Sequence, residues 1–180
     1  MRQLTKIVNF PKLTSINGRA FSYCYNLQSV SFSLLTKIVG GYCFYQCSAL
    51  SSVDLPLVQS IGNYTFGNCN SLISITLPVC TLVNACAFEG CKNLKMISLP
   101  KLTVLSSQYH FRSCYNLISL YLMNSVIATL SNSNTFTSTP IGGYSTSAGT
   151  FGSIYVPTSL LASYKVATNW SFYSSRFVGI

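Results

Sequence analysis

The sequence predicts an elongated solenoid of tandem repeats, in which short coils stack on one another and share a single hydrophobic core. A pattern of the form Phe-x-x-Cys-x-x-Leu-x-x-(Val/Ile/Leu)-x-(Phe/Leu) recurs five times with a period of 22 or 23 residues. Its copies begin at Phe21, Phe44, Phe66, Phe88 and Phe111. Upstream of each phenylalanine lies a second apolar pair three residues apart, as at Leu13 and Ile16. A unit this short cannot bury its apolar face alone, so the units must stack.

Within each unit, one short segment predicts a strand. Residues 29–32, 52–55 and 74–77 alternate polar and apolar side chains with period two, which is typical of a half-buried strand. We therefore expect one parallel strand per coil, about seven in all. The segment from Phe to Leu has apolar residues in steps of three, which predicts a short helical or 3₁₀ turn on the opposite side of the coil.

The two ends of the chain differ from the repeats. Residues 1–157 are expected to form the solenoid, with a loop insertion at 137–152 that is rich in Ser, Thr and Gly and predicted to be mobile. Residues 158–180 are expected to form a helical cap of the same domain. Thr158 or Ser159 would cap this helix, whose apolar face is Leu160, Leu161, Tyr164 and Ala167, ending near Asn169 and Trp170. The first strand lacks a preceding turn, so we expect the chain to be a segment of a longer repeat array.

The charge balance is strongly basic. The chain has eleven Lys and Arg residues but only two acidic residues, Asp54 and Glu89, and charged residues make up only 7% of it. One interpretation is solubility through self-repulsion, and another is binding of an acidic polymer. The second would use five scattered lysines: Lys6, Lys12, Lys37, Lys95 and Lys101. The interleaved aromatic and basic residues of a nucleic-acid site are absent, so no specific nucleic-acid partner is predicted.

The residue types that carry catalysis are too sparse for an enzyme. His110 is the single histidine, at a repeat position next to a core phenylalanine, and is expected to be partly buried and structural. Five of the eight cysteines share one repeat position and the other three replace packing residues, so we predict buried thiols rather than zinc ligands. No catalytic residue, metal or cofactor is predicted. No apolar stretch reaches the about 18 residues that span a bilayer, and no signal peptide is recognisable.

The strand sequence LKMISLPKLTVL, the related SLISITLP and the Ala-Phe-x-x-Cys turn resemble the BspA-like class of leucine-rich repeats found in bacterial, phage and protist surface proteins. Residues 152–157 and 164–170 resemble that family's closing segment. The resemblance implies a leucine-rich-repeat solenoid, an extracellular or cell-surface location, and adhesion or recognition of a protein or glycan. The chain departs from better-known leucine-rich repeats at one repeat position, where a ladder of asparagine side chains normally satisfies backbone groups. It has instead Leu35, Val58, Cys80 and Leu102.

The outward strand positions form the candidate binding surface. They define two columns: Ser29, Ser52, Ser74, Met96, Ser119 and Ser153, then Ser31, Asp54, Thr76, Ser98, Tyr121 and Tyr155. Among them we select Asp54, Thr76, Met96, Ser98, Tyr121 and Tyr155 as binding residues, with the two tyrosines as anchors. The alternatives are an ordinary solvated sheet face, or a spacer that sets distances in a larger surface or virion protein. We expect a monomer, or copies stacked through the N-terminal coil.

Overall fold

The structure of the protein is a computed structural model that describes residues 7–144 and 149–180. Its short strands follow one another at regular intervals along the chain. In order they are β1 (Ile7–Asn9), β2 (Ser15–Asn17), β3 (Ser29–Ser31), β4 (Lys37–Val39), β5 (Ser52–Asp54), β6 (Ser60–Ile61), β7 (Ser74–Thr76), β8 (Leu82–Val83), β9 (Met96–Ser98), β10 (Val104–Leu105), β11 (Ser119–Tyr121), β12 (Thr129–Leu130), β13 (Ser153–Val156) and β14 (Phe177–Gly179).

The predicted parallel strands are confirmed, but most coils contain two strands rather than one. The predicted strands pair in the orders β1-β3-β5 and β14-β13-β11-β9-β7. The second strand of each coil pairs in the orders β2-β4 and β12-β10-β8-β6. These strands contain the downstream member of the apolar pair, as at Ile16 and Ile38. They are only two or three residues long, too short for an alternating pattern to stand out in the sequence.

We call the side formed by the predicted strands the first sheet and the side formed by the second strands of the coils the second sheet. The first sheet is not continuous along the solenoid. Strands β5 and β7 lie next to each other but are not joined by ladder hydrogen bonds, which separates a three-stranded from a five-stranded sheet. The predicted unbroken sheet is therefore interrupted once within the described coils. A groove of about 390 Å³ lies at the interruption, lined by residues of both strands.

The side of the coil opposite the first sheet is built from turns, and among the described repeats the segment from Phe to Leu forms turns rather than the predicted short helix. A 3₁₀ helix at Ser133–Phe136 ends at a repeat phenylalanine instead of following it. In the earlier coils the i to i+3 bonds are present, as from Cys47 N to Phe44 O at 3.1 Å. They are interrupted by residues with left-handed backbone, which recur two positions before and two positions after the phenylalanine. The first set is Arg19, Tyr42, Tyr64, Cys86 and Tyr109, and the second is Tyr23, Gln46, Asn68, Gly90, Ser113 and Ser138.

This left-handed geometry has a clear benefit, because it directs backbone N–H groups toward the next coil. Tyr23 N donates to Tyr45 O at 2.8 Å, and Gln46 N donates to Gly67 O at 2.7 Å. The same bond recurs from Gly90 N to Arg112 O at 2.8 Å. The turns are therefore bonded from coil to coil, and each bond offsets part of the cost of a left-handed L-residue.

Two ladders of side chains run through the core. The phenylalanine rings that begin the repeat are buried and stack from Phe21 to Phe136 with centroids 5.3 to 5.6 Å apart. Beside them the repeat cysteines donate S–H bonds to phenylalanine carbonyls of the preceding coil. These bonds run from Cys47 to Phe21, Cys69 to Phe44, Cys91 to Phe66 and Cys114 to Phe88, at 2.9 to 3.2 Å. All eight cysteines are buried, as predicted.

Threonine and backbone groups perform the bonding that an asparagine ladder performs elsewhere. The hydroxyl of Thr36 donates to Thr14 O at 3.2 Å, and that of Thr103 donates to Thr81 O at 2.9 Å. Backbone N–H groups at the same position continue the series, as from Thr129 N to Thr103 O at 2.7 Å. The apolar residues that replace asparagine are thereby free to pack in the core.

The C-terminal segment covers the last coil with less helix than predicted. It comprises a 3₁₀ turn at Thr158–Leu160, helix α1 (Leu161–Val166), a 3₁₀ segment at Trp170–Arg176 and β14. Neither predicted cap holds: no side chain caps these turns, and Thr158 Oγ1 instead donates to Ile180 O. The buried residues are Tyr164, Trp170, Tyr173 and Phe177, whereas Leu160, Leu161 and Ala167 are only partly buried.

The predicted loop insertion is partly a packed structure. Thr139 and Ile141 are fully buried, and the Thr139 hydroxyl donates to Phe136 O at 2.8 Å. The predicted loop at 137–152 thus begins as an extension of the last coil. Residues 145–148, at its centre, lie outside the described residues.

Candidate binding surfaces

The strand face, defined as the outward side of β1, β3, β5, β7, β9, β11, β13 and β14, brings the predicted residues into two columns. Register partners join Ser74 to Met96 in one column and Thr76 to Ser98 in the other. The second column continues through Tyr121 to Tyr155. Five of the six selected residues therefore share one sheet. Asp54 lies across the groove from them, at the end of β5.

Tyr121 and Tyr155 form the most organised part of the strand face. Their rings are stacked with centroids 4.5 Å apart and planes within 10°. Because the two residues are register partners, the rings face each other along the direction from coil to coil. The opposite face of Tyr121 therefore lies above Ser98, its partner on β9, which has no ring. The two stacked rings therefore stand next to a strand that presents the Ser98 hydroxyl.

The groove between β5 and β7 is polar. Its lining includes the side chains of Ser52, Asp54, Ser74 and Thr76. The exposed Asp54 carboxylate accepts a hydrogen bond from Ser31 Oγ at 2.9 Å. The groove thus presents hydroxyl groups such as that of Thr76 two strands from Tyr121, about 10 Å away, and the Asp54 carboxylate three strands from it, about 14 Å away.

His110 is fully buried rather than partly buried as predicted. Its Nε2 lies 2.7 Å from Ser106 O and its Nδ1 lies 3.0 Å from Thr135 Oγ1. Nε2–H can donate to the carbonyl, while the Thr135 hydroxyl beside Nδ1 donates to Asn132 O at 2.9 Å. Burial lowers the pKa of His110 to about 4. The ring is therefore neutral at physiological pH, with a polar group beside each nitrogen.

The two carboxylates are held in separate local contacts. Glu89 lies on a turn and forms an ion pair with Arg112, whose Nε donates to Glu89 Oε1 at 2.9 Å.

Burial raises the pKa of the Cys69 thiol well above its usual value, which disfavours the reactive thiolate. Across residues 7–144 and 149–180, no group of three or more His, Cys, Asp or Glu side chains could hold a metal ion. Over the same ranges, no helix has the length and hydrophobicity of a membrane span.

The predicted basic residues are exposed but distributed over the molecule. Lys12, Lys37, Lys95 and Lys101 are all exposed, whereas Lys6 lies outside the described residues. Lys95 and Lys101 lie on either side of one strand, β9, whereas Lys12 and Lys37 belong to other coils, and Lys37 lies on the second sheet. Any attraction for an acidic polymer would therefore come from the total charge rather than from a compact basic site.

Sequence reasoning missed an aromatic surface on the turn side, which we call the tyrosine face. It comprises Tyr23, Tyr25, Tyr42, Tyr45 and Tyr64. Tyr45 is central, with ring centroids 5.3 Å from Tyr42, 5.6 Å from Tyr23 and 6.1 Å from Tyr64. The signal was present as tyrosines clustered around the repeat phenylalanine in YCYN, GYCFYQC and NYTF. The sequence did not reveal this surface because the rings that contact one another belong to turns of different coils and are far apart in the chain.

The stacked parallel strands, the repeated turns and the leucine-lined core define a solenoid of the leucine-rich-repeat class. The BspA type leucine-rich repeat region matches this chain in six copies, over residues 1–117 and 37–149. The chain belongs to that family. No match was found among curated proteins.

Solved structures of bacterial leucine-rich-repeat proteins are similar to this chain. A leucine-rich cell surface protein of Faecalibacterium prausnitzii has 26% identity and a TM-score of 0.61, over 68% of this chain and 33% of that protein. The leucine-rich repeat protein of T. pallidum has 25% identity and a TM-score of 0.61, over 65% and 58%. A leucine-rich repeat protein of Bacteroides ovatus has 26% identity and a TM-score of 0.52, over 64% and 39%. The matched region thus spans less than two thirds of each of these solved proteins.

Proposed function

We propose that this chain is a non-catalytic recognition module that binds a protein or glycan ligand through its strand face. The observation that supports the proposal most strongly is the stack of two partly exposed rings, Tyr121 and Tyr155, with the hydroxyl-bearing Ser98 as the register partner of Tyr121 on its other side. Tyrosine offers a large, rigid contact area with a polar end, and it is enriched among residues that dominate binding energy. Met96, on the neighbouring column, extends the apolar part of the contact.

The polar groove between β5 and β7 gives the same face a second point of contact. A ligand that lies across the strands from Tyr121 would reach Thr76 and then Asp54, which supply hydroxyl and carboxylate groups. A saccharide presents both an apolar ring face and hydroxyl donors, so it suits the combination of the stacked tyrosine rings and the polar groove. A protein loop with an aliphatic side chain and a nearby donor suits it as well.

A binding screen with the full chain against glycans and host surface proteins tests the proposal. Any ligand found is then measured against Tyr121→Ala and Tyr155→Ala, and we expect each variant to weaken binding by roughly tenfold or more. Tyr115→Ala is the control, because Tyr115 is 40% exposed on a turn and contacts Tyr144 rather than the strand face. Binding that is unaffected by both strand-face variants would contradict the proposal.

Two alternatives predict different results in the same screen. An acidic polymer held by the net charge of +9 would bind with an affinity that falls steeply as salt is added, and it would be insensitive to the tyrosine variants. A structural spacer in a larger surface or virion protein would bind nothing. We favour recognition because the paired rings and the groove lie on one face.

We infer an extracellular or cell-surface location, which the description of the F. prausnitzii protein as a cell surface protein supports. We also propose that residues 1–157 and 158–180 form one domain, since Tyr164 and Trp170 belong to the same hydrophobic core as the coils. We expect a monomer in solution, or copies stacked through the N-terminal coil, where Phe10 is half exposed. Sedimentation at increasing concentration distinguishes these states.

A further inference from the structure

We propose that the tyrosine face is a second binding surface, which takes a proline-rich protein segment in the polyproline II conformation. This proposal is independent of the strand face, because the two surfaces lie on opposite sides of the coils. It rests on the arrangement of five tyrosines from three successive coils, on the donors around them, and on the spacing of the coils.

The tyrosine rings are interlocked rather than scattered. Tyr42 and Tyr64 stack with centroids 4.8 Å apart, while Tyr45 meets both edge-on. Tyr23 and Tyr25, which are 45% and 41% exposed, form the rim. A half-buried central ring surrounded by more exposed ones is the usual arrangement of a binding hot spot. Tyrosine also loses little conformational entropy on binding.

The position of Tyr45 depends on a glycine in the next coil. A Cβ atom added at Gly67 would lie 2.8 Å from Tyr45 Cδ2, so the ring rests directly over this residue. The packing therefore holds the central ring in place before any ligand arrives, which lowers the cost of binding.

The polar groups at this face favour a ligand that is rich in acceptors. Tyrosine hydroxyls and the Arg19 guanidinium, whose central carbon lies 5.3 Å from the Tyr42 ring centroid, supply donors and positive charge. Of the two carboxylates, Asp54 lies on the strand face, and Glu89, which lies near Tyr64 at one edge of the tyrosine face, is paired with Arg112. Proline-rich segments lack N–H groups and leave their carbonyls unbonded. Such a segment, with an acidic residue near Arg19, complements the face in both hydrogen bonding and charge.

The spacing of the coils also matches this ligand. A polyproline II helix advances about 3.1 Å per residue with three residues per turn, or about 9.3 Å per turn. Neighbouring coils are about 4.8 Å apart, so two coils span about 9.6 Å. A segment that runs along the solenoid can therefore place one proline against Tyr23 or Tyr25 and the equivalent proline, one turn later, against Tyr64. Aromatic surfaces commonly recognise this conformation, which is already ordered before binding.

The probe is a synthetic peptide of about eight prolines between aspartates, compared with a Gly-Ser peptide of the same length and charge. Fluorescence anisotropy with the full chain should show binding of the proline peptide at least roughly tenfold tighter than of the control peptide. Equal binding of both peptides would overturn the proposal. Binding of oligosaccharides at this face in place of the proline peptide would overturn it as well.

Three variants locate the binding. Tyr45→Ala should weaken it by roughly tenfold or more, and Tyr23→Asn, which removes a rim ring while keeping a residue that tolerates left-handed backbone, by roughly threefold. Gly67→Ala retains every tyrosine but displaces the central ring, and it should also weaken binding. Thermal melts establish that each variant is folded, and the exposed Tyr23 gives a result even if Tyr45→Ala unfolds.

Control variants separate this surface from the strand face. Tyr115→Ala and Tyr121→Ala should leave peptide affinity within about twofold of the unmodified chain, while Tyr121→Ala weakens strand-face binding by roughly tenfold or more. A peptide affinity that depends on Tyr121 and not on Tyr23 or Tyr45 would overturn the tyrosine-face proposal and leave the strand-face proposal intact.

Discussion

At the scale of single residues, His110 connects burial to a measurable pH dependence. Its pKa of about 4 in the folded protein is below the ordinary value of 6.5, because burial disfavours the charged ring. The stability contributed by the neutral ring is fully present above pH 6.5 and is lost as the pH falls from 6.5 towards 4. At about 1.4 kcal/mol per pKa unit, we expect a loss on the order of 3 kcal/mol. Urea denaturation at a series of pH values measures it.

A matched control comes from the repeat itself. Threonine occupies the equivalent position at Thr65, where its hydroxyl donates to Gly62 O at 2.9 Å. His110→Thr should therefore fold and should lose most of the stability change between pH 6.5 and 4. If the variant keeps the full pH dependence, other groups are responsible for the acid sensitivity.

The cysteine ladder leads to a second prediction, at Cys69. Its side chain is fully buried and donates to Phe44 O at 3.2 Å. Cys69→Ala should cost about 1 to 3 kcal/mol, since it removes both packing atoms and the donor. Cys69→Ser should cost less, because a hydroxyl can donate to the same carbonyl. Equal losses would mean that the S–H bond contributes little, and chemical denaturation of the three proteins provides the comparison.

At the scale of elements, the repeat strands of the first sheet were predictable, whereas the second strand of each coil and the turns were not. Alternation over residues such as 52–55 determines which side chains face inward, so the strand columns and the pairing of Tyr121 with Tyr155 follow from sequence. The turns depend on left-handed backbone at Tyr42, Gln46 and others, residues with no intrinsic preference for that conformation. Only the hydrogen bonds between coils stabilise it there, and these bonds are long-range. The tyrosine face, which is built on these turns, was missed for the same reason.

The turn geometry predicts opposite effects at two equivalent positions. Gly90 has φ +73°, and a Cβ atom there would lie 2.3 Å from Asn68 Oδ1. Gly90→Ala should therefore destabilise the protein by about 1 to 2 kcal/mol. Ser113, one coil later, has φ +61°, and Ser113→Gly should leave the free energy of unfolding unchanged or raise it by up to about 0.5 kcal/mol. Thermal melts check both, and a neutral Gly90→Ala would show that this turn relaxes easily.

At the scale of the whole molecule, one core runs through every coil, while the first sheet is divided. The phenylalanine ladder continues past the β5–β7 interruption with Phe44 and Phe66 still stacked at 5.3 Å. Packing and the turn hydrogen bonds, such as that from Gln46 N to Gly67 O, therefore maintain the solenoid where ladder bonds are missing. The interruption opens a polar groove without breaking the core. Sequence alone could not place this groove, because the strands on either side follow the same pattern.

The continuous core must be covered at its last coil, and we propose that residues 157–180 cover it. Trp170 is 1% exposed, and its Nε1 donates to Ala128 O at 2.6 Å. Tyr173 meets the last ring of the ladder, Phe136, edge-on at 5.0 Å. Each of these large side chains stabilises the fold by about 1.5 to 3 kcal/mol if burial is complete. Together they represent a large fraction of a domain's net stability of about 5 to 15 kcal/mol.

Removal of residues 157–180 should therefore cause aggregation or a lower melting temperature, although every predicted solenoid strand remains. Trp170→Ala should by itself destabilise the chain by about 3 to 5 kcal/mol, since it leaves a cavity against the last coil. Phe172→Ala is the matched control from the same segment: its ring is 73% exposed, so the change should stay within about 0.5 kcal/mol. Size-exclusion chromatography and thermal melts of the three proteins measure these effects. A truncated chain that stays monomeric with an unchanged melting temperature would mean that the segment is an appendage for binding rather than a cover for the core.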